Sequence, residues 1–151
     1  MENTKETVGI LNDLIEINND RIKGFENALK DVENDAELKA TFTEKIGESH
    51  HLKMQLAKEV EALGEDAETG TSISGTLHRT WLDMRAKFTG HREHTILEDC
   101  EFGEDAILKA YKSALTEEHL PAYVRDLLND QLVVLQAAHD EIKALRDSAV
   151  H

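Results

Sequence analysis

Apolar residues recur along this chain at alternating steps of four and three, the spacing that lines one face of an α-helix. The first such seam reads Leu11, Ile15, Asn18, Ile22, Phe25 and Leu29, and a second reads Phe42, Ile46, Ser49, Leu52, Leu56, Val60 and Leu63. A third runs through Leu97, Cys100, Glu104, Ile107, Tyr111 and Ala114, and a fourth through Leu128, Leu132, Leu135, His139 and Ile142. Start and stop signals bound these stretches. Asn3 with Glu6 and Asn34 with Glu37 suit capping boxes, Gly64 suits a left-handed helix end, and Pro121 suits a first turn. Long helices are therefore expected over about 3–31, 35–63, 91–116 and 120–149. Between the second and third, Leu77, Trp81, Met84 and Phe88 repeat the spacing and predict a short amphipathic helix over about 75–89 that covers the core.

Connection lengths then set the topology. Short links join the first helix to the second and the third to the fourth, whereas a long crossover runs from Gly64 to Gly90. Two antiparallel hairpins joined by a long crossover have the connectivity of a ferritin-like four-helix bundle, an all-α fold in one domain spanning 1–151. Composition agrees: 151 residues, 40% of them hydrophobic, with one proline and 5% aromatics, suit long helices around a single core.

Charge narrows the partners. With 31 acidic against 17 basic side chains the net charge is −14, so the mean field repels nucleic acid and anionic membranes and leaves room for a cation. Cys100 is the only cysteine, which excludes an internal disulfide, a zinc finger and a thioredoxin-like motif. The first residues lack the basic start and apolar run of a secretory signal, and a cytoplasmic location is expected.

Three seams share one anomaly. Asn18, Glu104 and His139 are polar members of otherwise apolar faces, and each stands near the middle of its helix. Parallel rods packed side by side bring their midpoints into one layer. Near the middle of the second helix Glu48 and His51 have the three-residue spacing that lets a carboxylate and an imidazole reach one ion. On the helical wheel Glu48 lies at the edge of the buried face and His51 outside it. An isolated carboxylate in an apolar layer costs several kcal/mol unless it is paired, protonated or bound to a cation. Two solutions suit Glu104: a metal ion, or a hydrogen-bonded network with His139, Asn18 and Tyr111.

The stretches LNDLIEINNDRIKGFENA, LHRTWLDMRAKFTG and ILEDCEFGEDAILKAYKSAL make the chain resemble, over nearly its whole length, the ferritin-like superfamily. Within it the resemblance is to a group of bacterial four-helix-bundle proteins carrying a domain of unknown function. Di-iron members place a Glu on the first helix, Glu-x-x-His on the second, a Glu on the third and Glu-x-x-His on the fourth. By that resemblance Asn18 stands at the first position, Glu48 and His51 at the second, Glu104 at the third, and Gln136 with His139 at the last. Neutral amides at Asn18 and Gln136 leave two carboxylates where a two-metal centre needs four. The balance suits one divalent ion, Zn2+, Fe2+ or Mn2+, held by Glu48, His51, Glu104 and His139, or no ion.

Three readings follow. The first is a bundle of unknown physiological role whose degenerate dimetal-type site binds a single divalent ion. The second is a metal-free structural or interaction protein, stress-associated or self-assembling into a homo-oligomer, in which Glu104→Gln is tolerated or stabilising. The third, a di-iron oxidoreductase or ferroxidase, ranks last because too few carboxylates remain. An activity as an enzyme is thus the less favoured reading.

Overall fold

The computed structural model describes residues 2–32, 34–64 and 93–148. They form four helices and no strand: α1 (Glu2–Leu29), α2 (Ala36–Ala62), α3 (Glu93–Ala114) and α4 (Ala122–Ser148). The helix expected over 75–89, with Leu77, Trp81, Met84 and Phe88, lies outside the described residues. No described helix is long and apolar enough to cross a membrane.

Helix ends follow local chemistry, with two small shifts from expectation. α1 is already helical at Glu2, so Asn3 lies inside its first turn and not at its cap. The cap of α2 is Asp35, one residue after the expected Asn34. Asp35 is extended and its carboxylate accepts from Leu38 N at 3.0 Å, which moves Glu37 into the first turn, where its charge favours the helix N-terminus. At the other end Gly64 takes φ +86°, a conformation that side chains with a Cβ resist, and its N–H donates to Glu61 O. Pro121 immediately precedes α4 and its carbonyl accepts from Val124 and Arg125 N. Arg125 then reaches back to the end of α3, donating to Leu115 O at 2.6 Å and Glu117 O at 2.5 Å. A cation thus satisfies carbonyls that the helix leaves open.

α1 packs along α2 and α3 along α4, and the two hairpins meet mainly through α1 and α3. Of the helices that touch, α2 and α4 are the least closely packed pair, and a groove of about 180 Å³ lies beside Gln55 and Gln131. The core is continuous. Phe25 and Phe42 meet with ring centroids 5.4 Å apart, and Leu11, Leu56, Val60, Ile107, Leu128, Leu135 and Ile142 are fully buried.

The seams hold in part: Asn18, Ser49 and Glu104 are fully buried, whereas Leu29, Ile46, Leu63, Leu132 and His139 are only half-buried. On α1 the ladder Leu11, Leu14, Asn18, Arg21, Phe25, Ala28 is at most 2% exposed at every rung, so the helix buries an arginine as well as an asparagine. On α2 the ladder is Leu38, Phe42, Lys45, Ser49, Leu52, Leu56 and Val60. α3 buries its whole expected seam, Glu104 included. On α4, Leu132 and His139 are only half-buried; the closed ladder is Val124, Leu128, Gln131, Leu135, Ala138 and Ile142. The polar interruption of α4 is therefore Gln131, because the face that meets the other helices is turned by one residue from the one the apolar pattern suggests.

Candidate functional site: an arginine-centred charged core

The mid-bundle layer is organised by Arg21. Its Nε donates to Glu104 Oε1 at 2.6 Å and its Nη2 to Glu104 Oε2 at 2.9 Å, a fork that engages both carboxylate oxygens. Nη2 also donates to Glu48 Oε1 at 3.1 Å, and Nη1 to Ser49 Oγ at 2.9 Å and, more weakly, Lys45 O at 3.4 Å. The guanidinium carbon lies 5.4 Å from the centroid of the Phe25 ring, which adds a cation–π contact on its apolar side. Arg21, Asn18, Ser49 and Glu104 are all fully buried.

From this centre a chain of neutral hydrogen bonds crosses the bundle. Ser49 Oγ donates to Asn18 Oδ1 at 2.8 Å, and Asn18 Nδ2 donates to Leu14 O and to Tyr111 OH at 2.9 and 3.0 Å. Tyr111 OH donates to Gln131 Oε1 at 2.7 Å, and Gln131 Nε2 donates to Leu52 O and Gln55 Oε1 at 3.2 and 3.0 Å. All four helices therefore contribute to one connected network. On its α2 side Lys45 extends the charges outward, with Nζ 2.9 Å from Glu44, 3.7 Å from Glu48 and in close contact with Glu141 of α4.

Electrostatics keep these groups in the states the hydrogen bonds require. Burial by itself lowers the Arg21 pKa, but the charge and hydrogen bonds of Glu104, followed by those of Glu48, outweigh it and raise the value. Lys45 follows the same logic: burial lowers its pKa, and Glu141, Glu44 and Glu48 together more than restore it. Burial pushes the Tyr111 phenol up, opposed by Asn18 and Arg21, and pushes the Cys100 thiol well up, helped by Glu104 and Asp99. Cys100 is thus an inert buried thiol.

These shifts fix a sign on the alkaline side. Tyr111 and Lys45 both hold their protons more tightly in the fold than in the unfolded chain, whose values are about 10 and 10.4. Their contribution to stability is complete below pH about 10 and falls as pH rises through the folded values. Urea unfolding across pH 8–11.5 (roughly the range around those values) is expected to show stability declining above pH about 10. Tyr111→Phe should start about 1–2 kcal/mol lower, because Asn18 and Gln131 each lose a partner, and decline less steeply.

Of the six residues expected at the site, the structure brings Asn18, Glu48 and Glu104 around one point and keeps the other three apart. His51 is exposed on α2. His139 turns toward Glu101 and Asp105 of α3, and Gln136 donates to Asp140. At the central point the donors do not suit a divalent ion. Both Glu104 oxygens accept from Arg21, Asn18 Oδ1 accepts from Ser49, and no imidazole is present among the groups bonded there. The chain supplies its own cation between Glu48 and Glu104. Apolar periodicity passes over Arg21, Lys45 and Gln131, because each interrupts it; stepping the four-and-three ladder through polar positions recovers all three.

Four such helices in two hairpins, closed around a mid-bundle polar layer, define a ferritin-like four-helix bundle. In accord with this, the chain is similar to a mutant of Dps1 from Mycobacterium smegmatis, with a TM-score of 0.80 at 12% identity over 96% of this chain and 97% of that one. The family described as "Domain of unknown function (DUF2383)" matches residues 6–117, and the chain belongs to that family. No curated protein matches it significantly.

Proposed function

We propose that this protein is a helical scaffold whose central layer needs no metal, with Arg21 taking the role of the cation at the centre of a ferritin-like bundle, so that this layer is a structural lock with no redox function. The observation that carries this reading is the fork of Arg21 on Glu104, with one arm shared by Glu48. A guanidinium has no lone pair to offer and no accessible second oxidation state, and the carboxylates of the central layer, Glu48 and Glu104, are committed to it. The protein then acts through its surface, where an acidic field surrounds exposed Met54, Phe102, Tyr123 and Val133. A second copy of the chain is the partner this reading favours over a polyanion, which the net charge of −14 repels.

The reading is tested by adding Fe2+ to the untagged protein in air and following dissolved oxygen. Uptake equal to a buffer blank is expected. Protein-dependent uptake that scales with Fe2+ and survives Glu101→Gln, but is lost in Glu104→Gln, would overturn it.

A further inference from the structure

On the α3–α4 hairpin, three side chains that take no part in the Arg21 network converge on one point. Glu101 and Asp105 are four residues apart on α3 and so stack on one side of the helix, facing His139 of α4. His139 Nε2 lies 2.8 Å from Asp105 Oδ1 and 3.5 Å from Glu101 Oε2, and one ligand atom from each of the three falls within 4.8 Å of the others. Two atoms bound to one ion at about 2.0–2.2 Å stand about 2.8–3.6 Å apart, for angles between octahedral and tetrahedral. Both edges at the imidazole already have that length.

The far side of the ring is organised as well. His139 Nδ1 is 3.2 Å from Asp140 Oδ1, and that same oxygen accepts from Gln136 Nε2 at 3.1 Å. A carboxylate behind an imidazole holds the proton on the nitrogen it faces and turns the other lone pair outward, the usual outer shell of a metal-bound histidine. Glu101 contributes a second constraint: Oε1 contacts Arg146, which leaves Oε2 for the site. His139 and Glu101 side chains are 14% and 13% exposed and Asp105 is 51% exposed, so the point is walled by protein on two sides and open to water past Asp105. Three carboxylates, Glu101, Asp105 and Asp140, stand there against two cations, Arg146 beside Glu101 and Lys143 near Asp140, and the surplus negative charge attracts a cation.

We infer that Glu101, Asp105 and His139 form a binding site for one first-row divalent cation, with water completing the shell, Asp140 and Gln136 orienting the imidazole, and the ion clipping α3 to α4. One nitrogen and two carboxylate oxygens suit Mn2+, Fe2+ or Zn2+ better than Ca2+, which prefers an all-oxygen shell. The site shares no residue with the Arg21 network, so the two assignments stand or fall separately.

The test titrates Mn2+ into the untagged full chain and reads free Mn2+ by electron paramagnetic resonance, with thermal unfolding alongside. Saturable binding of about one equivalent is expected, together with a thermal midpoint that rises with Mn2+. Asp105→Asn and His139→Gln should each weaken binding at least about tenfold and abolish the midpoint shift, and Asp140→Asn should weaken it about tenfold through the orientation of the ring. His51→Ala, on an exposed face of α2, should leave the affinity unchanged. Absence of a saturable site, or an affinity that Asp105→Asn and His139→Gln leave unaltered, would overturn the assignment.

Discussion

Arg21→Met is expected to destabilise the bundle by about 3–5 kcal/mol in urea unfolding at pH 7, the cost of removing one partner of a fully buried ion pair. Methionine keeps most of the volume and removes the charge together with its cation–π contact on Phe25, so the loss reports chiefly on the charge and not on the packing. What remains is Glu104, fully buried, with both oxygens deprived of their donors, and Ser49 and Glu48 each short of one hydrogen bond. If that residual carboxylate is the source of the damage, removing it should repair the fold. The double variant Arg21→Met with Glu104→Met is therefore expected to be more stable than Arg21→Met alone, by about 1–3 kcal/mol, since a buried pair replaced by apolar groups of similar size is close to neutral. A double variant no better than the single one would mean that Arg21 matters for its packing.

Glu104→Gln is expected to cost about 2–3 kcal/mol under the same conditions. The amide retains an acceptor for one arm of the fork but presents an NH2 group to the other, so a strong charge-assisted bond is replaced by a donor facing a donor. Under the metal-free reading of the sequence the same substitution is expected to be tolerated or stabilising, because an uncharged amide removes the cost of burying the carboxylate. Arg21 reverses the sign: with the carboxylate neutralised, it is the guanidinium that is left under-compensated, held by Glu48 alone. Glu48 is itself shared with Lys45, so it cannot make up the difference fully.

The contrast between these two residues shows how much of the site is legible before the fold is known. Hydrophobic periodicity locates the four helices and the seam of α3 through Glu104, since burial of apolar rows is what packs the rods together. The same rule sees Asn18 because it is small and flanked by isoleucines, and it passes over Arg21 because a long cation is ordinarily a surface residue. Yet Arg21 falls on the ladder from Leu11 to Ala28 as surely as Phe25 does. Gln131 is hidden for a different reason. The α4 stretch carries Leu132, Val133 and Val134 beside it, so two faces compete for the label of core and the apolar one draws attention to His139. Which face closes is decided by α2 and α3, through Leu52, Gln55 and the Tyr111 hydroxyl, and no pattern within α4 contains that information. His51 is a simpler case, since the wheel already sets it outside the buried row of α2 and the structure leaves it exposed.

A bundle built in this way carries one hydrogen-bonded polar layer across an otherwise apolar interior. The network ties α1 to α2 through Ser49, α1 to α3 through Glu104 and Tyr111, and α3 to α4 through Gln131. Each bond has a single geometric solution, so sliding one helix by a turn against another would strand several partners at once. Register is the property that such a layer protects most strongly, and it is protected without any exogenous ion.

The most direct check is the side-chain resonance of the Arg21 Nε–H in 15N-labelled protein. A guanidinium locked on Glu104 should give a resolved Nε–H signal that exchanges slowly with water, persists in chelator and in excess Zn2+, and is lost in Glu104→Gln. A signal averaged with those of the exposed arginines, or one displaced by stoichiometric Zn2+ in wild-type protein, would show that Glu104 is available to a metal and that Arg21 is not the cation at the centre.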